Sequence, residues 1–183
     1  MSPAVNVDGR PVFQTLVLYE DYAAGRRATD TCNLLMARLG DEFELRCNLW
    51  KFEVLRNSKL NELAAVEAME ADVIIVAAHG CTPLPAEVTA WVDAWLPGRG
   101  THPAALIAVV DSTFQKQERS SATSDYLRSV AAAANMDFLT QVTAFTANDS
   151  AVPRVPPGLE ANPSLPGEVP RWNSAERHWG INE

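Results

Sequence analysis

Four short stretches of this chain carry side chains able to do chemistry. Glu20 and Asp21 stand side by side, a pair of carboxylates suited to a divalent cation or, joined by a third acid, to proton transfer. Arg26-Arg27 follows them. It offers positive charge to an anion, or simply a solvated surface. His79-Gly80-Cys81-Thr82 brings an imidazole and a thiol into one loop, stiffened by Pro83 and Pro85. The pair suggests a nucleophile, but no third member of a triad is evident, and a hydrogen-bonded structural histidine is the alternative. Asp111-Ser112-Thr113 holds residues that close turns through side-chain to backbone bonds and that equally suit contact with a polar ligand.

The elements that must position these residues alternate between strand and helix. Val12 to Glu20 is β-rich, and a helix carrying Cys32, Leu35, Met36 and Leu39 on one stripe is expected to be capped by Thr29 or Asp30 and to stop at Gly40. Phe43 to Leu49 alternates apolar and polar residues, as an edge strand with one wet face does. Ser58 is placed to cap a second helix with Leu60, Leu63, Val66 and Met69 inward. Asp72 to Ala78 and Ala104 to Val110 are continuously apolar, the pattern of parallel strands covered on both faces. Between them a helix presents Val88, Trp91, Val92, Trp95 and Leu96 and ends at Pro97-Gly98. A fourth helix buries Leu127, Val130, Ala131 and Ala134, with Asn135 as a left-handed cap, and Phe138 to Phe145 is the fifth strand. The expected architecture is a three-layer, doubly wound α/β fold with a parallel five-stranded sheet in the order 2-1-3-4-5. Ligands in such sheets bind beyond the carboxyl ends of the strands, where all four chemical stretches lie.

Composition narrows the function classes. A formal charge of −8, with Arg26-Arg27 the only adjacent basic pair, argues against nucleic acid, whose phosphates need clustered Lys and Arg. No apolar run approaches the roughly 20 residues that span a bilayer, and the first residues lack a leader pattern, so a cytoplasmic protein with no membrane partner is expected. Cys32, Cys47 and Cys81 show no paired metal-type spacing and suit reduced thiols.

The organisation read from the chain is an N-terminal extension (1–11), the α/β domain (12–146) and a Pro-rich tail (147–183). The tail holds six of the twelve prolines, which excludes a long helix. It replaces the fifth helix that such a fold usually has, yet it is too apolar for a purely solvated linker. It is therefore expected to lie over the sheet or a neighbouring subunit, with Trp172 and Trp179 as anchors.

The segment Asp72 to Leu96, DVIIVAAHGCTPLPAEVTAWVDAWL, resembles the third strand, loop and helix of flavodoxins and NADPH-dependent FMN reductases. That resemblance implies FMN as a possible cofactor and a flavin-ring contact at His79, Gly80, Cys81 and Thr82 and at Asp111, Ser112 and Thr113. The loop after the first strand, Tyr19 to Ala24, departs from the family's hydroxyl- and glycine-rich phosphate loop. The chain also resembles response-regulator receiver domains in its acidic pair Glu20-Asp21, candidates for a metal, and in the hydroxyl at Ser112 or Thr113; the phosphoacceptor position holds Ala78-His79 instead. The expectation is a non-catalytic, ligand- or partner-binding module acting as a dimer. The alternatives are an FMN-dependent oxidoreductase in which Arg26 and Arg27 supply the phosphate charge, and a pseudo-receiver.

Overall fold

The computed structural model describes residues 10–40, 42–80, 82–111 and 122–143. The chain divides after Ser150 into two units, the second of which, Ala151–Glu183, lies outside the described residues. The anchors Trp172 and Trp179 lie outside them with it.

Five strands, β1 (Val12–Tyr19), β2 (Glu44–Lys51), β3 (Val73–Ala78), β4 (Ala105–Asp111) and β5 (Asp137–Thr143), form one parallel sheet in the order β2-β1-β3-β4-β5. The strand order is the one expected from the sequence. Every residue of β3 is buried, as the uninterrupted Val-Ile-Ile-Val-Ala-Ala run requires of a central strand, whereas no residue of β2, the edge strand, is fully buried.

Helix α1 (Tyr22–Leu39) packs one face of the sheet; α2 (Ser58–Glu70), α3 (Ala86–Trp95) and α4 (Ala122–Ala133) pack the other. Alternation along the strands sorts the core into two halves. Val17, Ile75, Ala77 and Val109 meet Ala24, Ala28 and Cys32 of α1, while Leu16, Leu18, Ile74, Val76 and Val110 meet the other helices. Trp91 and Trp95 of α3 are fully buried with ring centroids 5.6 Å apart, and α4 buries Leu127, Val130 and Ala131, with Ala134 just beyond its end, as the spacing predicts. Asn135, with φ 52°, ends α4 in the left-handed conformation.

Two helix assignments are corrected. α1 begins at Tyr22, because the Asp21 carboxylate caps it by accepting the Ala24 N–H at 2.9 Å; Thr29 and Asp30, expected to be the cap, sit in its second and third turns. α2 is capped by Asn57, which accepts the amides of Lys59 and Leu60, and not by Ser58. It also turns the opposite face inward. Ala64, Ala65 and Ala68 are buried, while Leu60, Leu63 and Val66 are exposed and only Met69 of the expected stripe packs partly against the core, because small side chains let the helix lie close to α3 and the sheet. Arg99 closes the far end of α2, donating to the carbonyls of Ala68, Met69 and Ala71.

Candidate functional site

The sheet register alone assembles the site. Tyr19 is level with Ala77 and Ala78 with Val110, so the next residues, Asp21 on one side and Asp111 on the other, arrive level with His79. All three continue the alternation of Val17-Tyr19, Ile75-Ala77 and Ile107-Val109. They therefore rise on the side of the sheet that carries α1, at the carboxyl ends of β1, β3 and β4.

His79 stands between two carboxylates. Its Nε2 is 2.9 Å from Asp21 Oδ2 and its Nδ1 is 3.5 Å from Asp111 Oδ2, while its backbone N–H donates to Glu20 Oε2 at 2.8 Å. The Glu20 amide in turn donates to the Ala77 carbonyl at 3.0 Å, which locks the end of β1 to the end of β3. Asp111 is almost fully buried; Asp21 is half exposed. Burial by itself would depress the His79 imidazolium, but the hydrogen bond and charge of Asp21, helped by Glu20 and Asp111, outweigh it and hold the imidazole above its ordinary pKa. Burial likewise works against the Asp21 carboxylate. The bonds from the Ala24 amide and His79 overcome that and lower its pKa.

Asp21 thus makes two contacts at once, with Oδ1 on the first turn of α1 and Oδ2 on the imidazole. The amino end of a helix is where a phosphate is bound in many α/β proteins, through free N–H groups and the helix dipole. Here the chain's own carboxylate takes that place, with Glu20 beside it. The residues after β1 therefore do not fit a flavin phosphate.

The remaining expected residues disperse. Gly80 turns the chain with φ 72°, a backbone conformation that needs glycine, immediately after His79. Thr82 is exposed, and its carbonyl accepts the hydroxyl of Thr123 at the start of α4, tying the loop after β3 to that helix. Arg27 is 3.8 Å from Asp30 on the same helix. Arg26 lines a cavity of about 260 Å³ with Tyr19, Tyr22, Gly25, Thr29, Asp30 and Leu49, between α1 and β2. Cys81, Ser112 and Thr113 lie outside the described residues. Among the described residues no group of three or more His, Cys, Asp or Glu has the arrangement of a metal site.

The cavity was missed in the sequence, although its signal was present. Asp21 stands before Ala24, Ala28, Cys32 and Leu35, a helical period that already marks Tyr22 as the start of α1 and puts Tyr19 and Tyr22 beside Gly25. Gly25 has no side chain because a Cβ there would come within 2.9 Å of the Tyr19 ring.

All five strands run parallel, with β1 and β3 adjacent at the centre and, among the described residues, one helix on one face against three on the other. The fold is flavodoxin-like. Among solved structures the chain is similar to a cysteine-to-serine mutant of flavodoxin from Pseudomonas aeruginosa, at 16% identity over 74% of this chain and 88% of that one, with a TM-score of 0.45. No protein-family model matches the sequence, and no curated protein matches it significantly. In this flavodoxin-like sheet, His79 occupies the switch point between β1 and β3, the position at which ligands of such folds bind. No described helix is long and apolar enough to cross a membrane.

Proposed function

We propose that this chain is a flavodoxin-like binding module that acts without catalysis, and that its crevice takes a small molecule through a cationic or hydrogen-bond-donating group and not through a phosphate. The observation that carries this reading is the double engagement of Asp21, on the amino end of α1 and on His79. An anion at that place would meet Glu20, Asp21 and Asp111, three carboxylates around one imidazole. A cation or an N–H donor meets acceptors already oriented by the fold.

The partner side of the proposal is a dimer held through the tail, with Trp172 and Trp179 as the apolar anchors.

The test compares unfolding midpoints with three probes, since a ligand specific to the native state raises the midpoint by mass action. Agmatine, a small guanidinium amine, is expected to raise it, and Asp21→Asn to abolish the rise. FMN and magnesium are expected to leave it unchanged. Flavin bands in the purified protein, or a clear rise with FMN, would overturn the reading in favour of a flavin-dependent oxidoreductase. A rise with magnesium that Asp21→Asn removes would turn it towards the pseudo-receiver. Failure of agmatine and comparable amines to act at millimolar concentration would remove the cationic ligand.

A further inference from the structure

Away from the crevice, Cys32 on α1 and Cys47 on β2 face each other with their sulfurs 3.0 Å apart. Both are free thiols. Register explains the meeting. Cys47 is level with Thr15 and belongs to the alternate residues of β2 that turn towards α1, while Cys32 lies on the helical stripe, with Ala24 and Ala28, that packs on this face. Cys32 is buried and Cys47 half-buried at the sheet edge, flanked by Leu35 and Phe13. The next turn towards the amino end of α1 presents Thr29, and the next residue of β2 on this face is Leu49; both line the 260 Å³ cavity.

We propose that Cys32 and Cys47 form a reversible redox site, oxidised by a hydroperoxide to a disulfide that bolts α1 to β2 alongside the cavity.

The two thiols are not equivalent. The hydrogen bond between them, with burial added, pushes the Cys32 thiol up, while the same hydrogen bond pulls Cys47 down. Cys47, nearer the surface, is the attacking sulfur. Its thiolate takes one oxygen of hydrogen peroxide, the O–O bond breaks, and the departing hydroxide picks up a proton to become water; Cys47 is then a sulfenic acid. Cys32 attacks the Cys47 sulfur, the S–O bond breaks, and the second hydroxide leaves as water with the Cys32 proton. Two thiols lose two electrons in all, one peroxide gains them, and the products are one disulfide and two waters. A small-molecule dithiol reverses the change by exchange.

The disulfide closes a short loop of chain that contains the end of α1 and the start of β2. Cross-links of this kind stabilise mainly by restricting the unfolded chain. The oxidised protein is therefore expected to melt several degrees higher than the reduced one.

The experiment treats the full-length protein with a small excess of hydrogen peroxide, then digests it without reduction and maps its peptides by mass spectrometry. The expected product is one cross-linked peptide joining Cys32 to Cys47, lighter by two hydrogens, in the native chain and equally in Cys81→Ser. Dithiothreitol should reverse both the cross-link and the rise in midpoint. In Cys32→Ser, dimedone should trap the sulfenic acid on Cys47. Oxidation of Cys47 to a sulfinic acid without the cross-link, cross-links that all involve Cys81, or two thiols that stay reduced while the peroxide is consumed elsewhere would each overturn the proposal.

Discussion

His79 and Asp21 make the site's charge depend on pH in a way that can be signed. His79 is held above its ordinary value of about 6.5, so its contribution to stability is complete below that pH and is lost as pH rises through the folded value. Asp21 is held below its ordinary value of about 3.8; its contribution is complete above that pH and is lost as pH falls through the folded value. The pair is therefore at full strength between about pH 3.8 and 6.5. Asparagine caps helices as well as aspartate does. Asp21→Asn should accordingly lower the imidazole pKa seen by NMR titration and flatten the pH dependence of stability above neutrality, with little loss of α1. Asp21→Ala should lose the cap as well, about 1 kcal/mol more in a denaturant melt. A titration of His79 that is identical in the native chain and Asp21→Asn would contradict this account.

At the scale of elements, close approach decides more than apolar pattern does. Gly25 brings the first turn of α1 against Tyr19, and an alanine there places its Cβ 2.9 Å from the ring. Alanine gains up to about 1 kcal/mol of helix propensity over glycine, but overpacking costs about 1–3 kcal/mol. Gly25→Ala should on balance destabilise the protein by about 1 kcal/mol, measured by urea unfolding. Arg99→Met removes the donors that satisfy three carbonyls at the end of α2 and should cost about 2 kcal/mol. The same considerations separate what was legible from what was not. β3, β4, α3 and α4 were readable because unbroken apolar runs and the Val88-Trp91-Val92-Trp95 stripe admit one burial. α2 was misread because alanines carry little apolar weight in a periodicity, although their smallness is what lets a helix sit close; Leu60, Leu63 and Val66 drew the stripe to the wrong face. The start of α1 is hard to read because Ala-Ala-Gly-Arg-Arg looks like loop, and it is Asp21 together with the period from Ala24 that identifies it.

For the whole molecule, strand order follows from counting elements, whereas the register that brings Asp21, His79 and Asp111 level is seen only in the structure. Their distances did not follow, since side-chain reach depends on the packing of α1 upon β1 and β3. Among the described residues α1 is the only helix on its side of the sheet, and Leu139 of β5, level with Ile107 on that side, remains about half exposed. A doubly wound sheet needs both faces covered. Truncation after Phe145 is therefore expected to turn the proposed dimer into a monomer and to lower solubility and the thermal midpoint by several degrees; a shortened protein still dimeric and equally soluble and stable would refute the role proposed for the tail.

The two-handed grip of Asp21 also installs a spectroscopic indicator. The Ala24 amide proton points at one oxygen of the carboxylate whose other oxygen faces the imidazole. Its NMR frequency should move as His79 titrates, and any molecule that displaces the imidazole from Asp21 should move it again. A single backbone resonance at the head of α1 would then report crevice occupancy before the occupant has been identified.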